Sequence, residues 1–119
     1  MTAQASGFVE DAGFLLSNLL PKHTGVTGSV IWFAAGEYSR TDSQYGPRIQ
    51  VALGDRLTLD GLADSVAVLL TNPPRVLGTL PNVTAAQVVT FVERNRIALL
   101  EYWDGEMATS DVIERIVRA

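Results

Sequence analysis

Arginine and tyrosine are the residues of this chain best suited to recognition, and they gather in one stretch. Tyr38, Arg40 and Tyr45 fall within the polar run GEYSRTDSQYGP, Arg48 follows it directly, and Arg75 comes later. An arginine meets a carboxylate or phosphate through a planar pair of donors, and a tyrosine supplies contact area for little lost freedom. The plainer account of the same residues is a solvated hairpin tip with arginines on the strand edges. A second cluster is acidic: Glu101, Asp104 and Glu106, with Asp111 and Glu114 close behind. It suits a basic partner, or it is only a solvated surface with acids at a helix start.

Catalytic signatures are missing. The 119 residues include no cysteine, which removes disulfides, thiolate nucleophiles and thiolate metal sites together. The single histidine, His23, reads as a surface residue, and a zinc site would need carboxylates almost alone. Carboxylate-bound magnesium stays open, because acids are common and their spacing says little. Gly25-Val26-Thr27-Gly28-Ser29 has the glycines of a phosphate loop but no Lys-Ser/Thr pair, and it opens a strand. No cofactor is expected. The net charge of −4 argues against a large phosphate contribution, and so against nucleic acid as the main partner. No apolar run approaches the roughly 20 residues that cross a bilayer. The N-terminus lacks a secretory signal, so the cytosol is the simplest location. Arginine is eight of the nine basic residues, which reads as the coding bias of a GC-rich bacterium.

The element best placed to organise these residues is the stretch from Thr84 to Gly105. Thr84 and Gln87 form a T-x-x-Q capping box, Val83 and Val88 a hydrophobic staple, and Gly105 a left-handed stop. Val88, Val92, Asn95, Leu99, Tyr102 and Trp103 share one face of this helix, opposite Thr90, Glu93, Arg94, Ile97 and Glu101. Asn95, inside the apolar stripe, reads as a buried amide that ties the helix to a neighbouring backbone. Tyr102 and Trp103 read as core rather than as a stacking platform.

Before that helix, residues 1–6 read as a disordered start to one domain spanning 7–119. Ser6 caps an expected helix from Gly7 to Leu20, ended by Pro21. Ser29 to Ala35 is apolar on both faces, the pattern of a central strand, and Arg48 to Leu53 alternates as a half-buried one, with Arg48 on the side away from the core. The two form a hairpin with an unusually long loop. Leu57 to Leu59 offers a short strand. Leu62 to Thr71 fits helix and strand templates alike; its β-branched content favours a strand from Ser65, and Arg75 to Gly78 adds another. After Gly105, Thr109 caps a last helix from Ser110 to Arg118. The expected fold is α+β: an N-terminal helix, a small antiparallel meander of three to four strands, and two C-terminal helices packed on one face of the sheet.

Three stretches carry a resemblance: Ile31-Trp32-Phe33, Gly46-Pro47-Arg48-Ile49-Gln50-Val51, and VERNRIALLEYWDGE with its Asn-Arg-x-x-Leu-Leu-x-x-Trp kernel. Together they resemble small single-domain proteins of bacteria and their phages. More distantly they are similar to short bacterial domains of unknown function with a Pro-His-Phe-His-Val strand, some found beside antitoxin-like partners. Arg48 and Gln50 stand where that second group has histidines, so histidine chemistry does not carry over. The expectation is a non-enzymatic cytosolic interaction protein, of inhibitor or antitoxin type, with a protein partner. A nuclease-like toxin component and a nucleic-acid-binding module are the alternatives.

Overall fold

The apolar runs of this chain pair in sequence order. The computed structural model describes residues 8–11, 14–34, 46–54 and 64–119, with side chains from residue 17 onward except residue 34. Six strands form one sheet in the order β1 Phe8–Asp11, β2 Phe14–Leu19, β3 Ser29–Ala34, β4 Arg48–Leu53, β5 Val66–Leu69 and β6 Arg75–Leu77. Every neighbouring pair is antiparallel, so the sheet is a plain meander. Among the described residues three helices accompany it: α1 Pro21–Thr24, α2 Asn82–Trp103 and α3 Thr109–Arg115.

The class is α+β, as expected, and the N-terminal segment is where the structure departs most from the sequence reading. Two strands occupy the stretch read as one helix from Gly7 to Leu20, and the only helix nearby is the short α1. The physical cause lies in β3. Its side chains are buried from Val30 to Phe33 on both faces, so it needs a neighbour on each side. β4 supplies one, with Ile31 opposite Val51, and β2 the other, with Leu19 opposite Ile31. A helical spacing of leucines gives way to that tertiary demand. Among the described residues the sheet therefore has six strands, against the three or four expected. β5 and β6 fall where the β-branched content puts them. The suggested strand at Leu57–Leu59 lies outside the described residues, as do the first six residues of the chain.

One face of the sheet carries the main core. Leu19, Ile31, Phe33, Ile49, Val51 and Val68 pack with Val88, Phe91, Val92, Leu99 and Tyr102 of α2 and with Val112 of α3. Phe33 and Tyr102 meet edge to face, with centroids 5.0 Å apart and planes at 65°. The buried stripe of α2 matches its sequence pattern, and Ile97 on the outer face is 63% exposed. The opposite face is also buried at its centre, where Val30, Trp32 and Ala52 pack with Leu20. This second face is therefore not open to a partner at the centre of β3 and β4. Leu53, read as facing the core, is exposed instead.

The ends of the helices differ from their sequence signals in an instructive way. α2 starts at Asn82 after Pro81, and no side chain caps it. Thr84 sits inside the first turn, Val83 is 70% exposed, and Gln87 reaches across to accept from the Thr27 backbone N–H at 3.0 Å. Neither capping box nor staple forms. The other end behaves as read: Gly105 has φ of 79°, its N–H donates to the Tyr102 carbonyl, and the Glu106 N–H donates to the Glu101 carbonyl. This pair of bonds is the Schellman arrangement. Thr109 does not cap α3 either; its hydroxyl lies 2.8 Å from the Tyr102 hydroxyl, and the helix ends at Arg115 rather than Arg118.

Candidate functional site

The root of the long β3–β4 connection and the C-terminal end of α2 come together. Gly46 takes φ of 74°, which lets the chain turn sharply into β4. The Pro47 carbonyl accepts from the Leu70 N–H at 3.0 Å, and the Leu70 carbonyl accepts from Arg96 Nε on α2 at 2.9 Å. This short chain of bonds fixes the start of β4 against β5 and α2. Arg96 has no role in the sequence reading beyond its place in the kernel, and only its tertiary partner reveals what it does.

Arg48 is the first residue of β4. Its backbone register places it opposite Leu69, which is opposite Arg75, so the three form one row across the sheet. Strand alternation puts that row on the face away from α2. The side chain nevertheless reaches the helix, because Arg48 opens its strand and a long side chain can turn round the strand end. Its guanidinium carbon lies 5.5 Å from the centroid of the Trp103 ring, within cation–π range. Nη1 also donates to the Gly46 carbonyl at 3.3 Å. Arg48 is only 8% exposed. It is not the free surface arginine that alternation implied but a buried one spent partly on Trp103. Trp103, read as core, is half-buried, and Tyr102 is fully in the core.

The other expected site residues fall into three groups. Tyr38, Arg40 and Tyr45 lie outside the described residues. Arg75 is exposed on β6, two strands from Arg48, or about 10 Å at ordinary strand spacing. Of the acids, Asp104 and Glu106 are exposed just beyond Trp103, while Glu101 is 3.5 Å from Arg115 Nη1. Both partners of that ion pair are well exposed, so it adds little stability, but it does offset the charge of Glu101. Loop root and acidic helix end, two separate surfaces in the sequence, are thereby neighbours joined through Arg48 and Trp103.

No group of three or more histidine, aspartate or glutamate residues is arranged to hold a metal among the described residues. Partial burial lowers the pKa of His23 from 6.5, and the charge of Lys22 lowers it further. His23 lies on α1 and belongs to no cluster. Trp32 Nε1 and Ser29 Oγ are buried without a hydrogen-bond partner among the described residues. No described helix is long and apolar enough to cross a membrane. Compared with family models, curated proteins and solved structures, the chain matches none.

Proposed function

We propose that this domain is a protein-binding module with no chemistry of its own, of the inhibitor or antitoxin type, and that it works in the cytosol. Its contact surface is the rim at the root of the β3–β4 connection, where Gly46, Arg48, Trp103, Asp104 and Glu106 lie. The observation that carries this is the contact of Arg48 with Trp103, which ties the root of the connection that carries Tyr38, Arg40 and Tyr45 in sequence to an acidic helix end. Tryptophan, tyrosine and arginine are the residue types in which binding energy concentrates. A rim with both signs of charge suits a protein surface better than a phosphate backbone, which repels acids.

Affinity capture from a bacterial lysate, followed by binding of the purified pair, tests the reading. Arg40→Ala with Tyr45→Ala is expected to weaken the partner's affinity tenfold or more, about 1.4 kcal/mol. Charge reversal at Asp104 and Glu106 is expected to slow association and change its salt dependence. Both should leave thermal stability nearly unchanged. A partner that binds both variants as tightly as wild type refutes the rim. Cleavage of RNA or DNA by the purified protein, with magnesium or manganese and lost on mutating Asp104 or Glu106, refutes the non-enzymatic reading in favour of a toxin.

A further inference from the structure

Residues 116–119 leave α3 and run past Asn95 of α2 to the 21–25 turn. Ile116 has φ of −62° and ψ of 132°. Val117 then pairs with the side chain of Asn95 as one strand residue pairs with another. Its N–H donates to Asn95 Oδ1 at 2.7 Å, and its carbonyl accepts from Asn95 Nδ2 at 2.7 Å. The second hydrogen of Nδ2 goes to the Phe91 carbonyl at 2.8 Å, which fixes the amide on α2. Beyond Val117, Arg118 Nη1 donates to the Lys22 carbonyl at 2.7 Å, and the Ala119 N–H donates to the Thr24 carbonyl at 2.7 Å. The tail passes so close to Gly25 that a Cβ there would stand 3.0 Å from the Ala119 nitrogen.

Two features set this contact apart from ordinary packing. It is made mainly through backbone groups, so it reads an extended chain more than particular side chains. It is also exposed: Val117, Arg118 and Ala119 all face solvent, while Asn95 and Thr24, which bond them, are buried. Little apolar surface holds the tail down, and segments of that kind open locally before the domain unfolds. We propose that residues 117–119 are a latch seated in a backbone-reading cleft between Asn95 and the 21–25 turn, and that the same segment of a second copy can take its place. Exchange of an identical element needs no new complementarity, because the contacts are the same in either chain.

Amide hydrogen exchange on the full chain is the first test. The Val117 and Ala119 amides are expected to exchange at least about tenfold faster than those of Val92 and Leu99, with rates that low denaturant does not change. Equal rates with a common denaturant dependence would show that the tail moves only with the whole domain, and would overturn the latch. The second test uses Val117→Pro in the full chain, which removes the N–H that Asn95 receives; Ile116 already has the backbone that precedes proline. A peptide of residues 114–119 is expected to bind this variant saturably. The same peptide N-methylated at Val117 should bind at least about tenfold more weakly, through the loss of one hydrogen bond to a buried amide. If both peptides bind alike, or neither binds a Val117→Pro protein whose α2 amides match wild type, the cleft is refuted. Should Val117→Pro fail to fold, the tail is integral to the domain and the proposal falls with it.

Discussion

The Arg48–Trp103 contact can be measured as a coupling free energy. Arg48→Met keeps most of the aliphatic stem and removes the charge, and Trp103→Leu removes the aromatic face while keeping an apolar group. Each single change has side costs: the first loses the Gly46 bond, which at 3.3 Å is at the weak end of its range, and the second loses packing. A double-mutant cycle cancels these and leaves the pair term. Cation–π contacts run from about 0.5–1 kcal/mol at exposed sites to about 2 when desolvated. With Arg48 8% exposed and Trp103 half-buried, the coupling should fall at about 1–2 kcal/mol. Urea is the right denaturant, since guanidinium would itself compete for the ring. The coupling should weaken only slightly at high salt, because a shielded pair is screened less than an exposed one. A coupling indistinguishable from zero would refute the Arg48–Trp103 contact as a tie between the connection root and α2, and with it the claim that this contact joins the two surfaces into one rim.

Leu99→Ala should cost about 2–5 kcal/mol by urea unfolding, since Leu99 is 2% exposed in the core, whereas Ile97→Ala on the outer face should stay within about 0.5; equal losses would mean that the outer face is covered too. Gly105→Ala should lower stability by about 1–2 kcal/mol, because the helix stop holds a left-handed backbone there, and an unchanged melting temperature would contradict that geometry. For His23, burial first and Lys22 second lower the folded pKa below 6.5, so the unfolded chain binds the extra proton first and stability falls as pH drops below about 6.5. His23→Gln should therefore flatten the pH dependence of stability between about pH 7.5 and 5 relative to wild type, and parallel curves for the two proteins would refute the shift.

Much of the fold was legible from local pattern. The two apolar faces of β3, the alternation of β4 and the one-sided stripe of α2 all reappear as burial, because each is a direct record of what the residue faces. The N-terminal segment was not, since the leucines from Leu15 to Leu20 satisfy a helical spacing as well as strand pairing. Only the neighbour decides between them. The clue was present in β3, whose apolar second face and position demanded a strand on the N-terminal side as well. The capping box failed for a related reason. Pro81 starts the helix without help from a side chain, which frees Gln87 for Thr27, 60 positions away. Local signals compete with tertiary partners, and a strip of sequence shows only one side of that competition.

The same logic explains the kernel Asn95-Arg96-x-x-Leu-Leu-x-x-Trp103. Its residues look like a site motif, but each ties a different part of the chain to one helix. Asn95 holds the tail through Val117, Arg96 holds the β5 end through the Leu70 carbonyl, Leu99 fills the core, and Trp103 receives Arg48 at the root of the β3–β4 connection. Asn95 and Arg96 are adjacent and so point about 100° apart, one toward the tail and the other toward the sheet end. Trp103 lies eight residues beyond Asn95, about 12 Å along the axis, where the helix passes the end of β4. The spacing is therefore that of a spine with ties at set heights. It follows that substitutions in the kernel should disturb distant segments in separable ways. Arg96→Met should loosen the Leu70–Pro47 junction while leaving the exchange rate of the Val117 amide at its wild-type value, and Asn95→Leu, which removes the acceptor of the Val117 N–H and the donor to its carbonyl, should do the reverse. Hydrogen exchange at Leu70 and Val117 reads both outcomes on the same samples. If either substitution released both amides together, the helix would be acting as one cooperative block, and its role as a set of independent ties would be refuted.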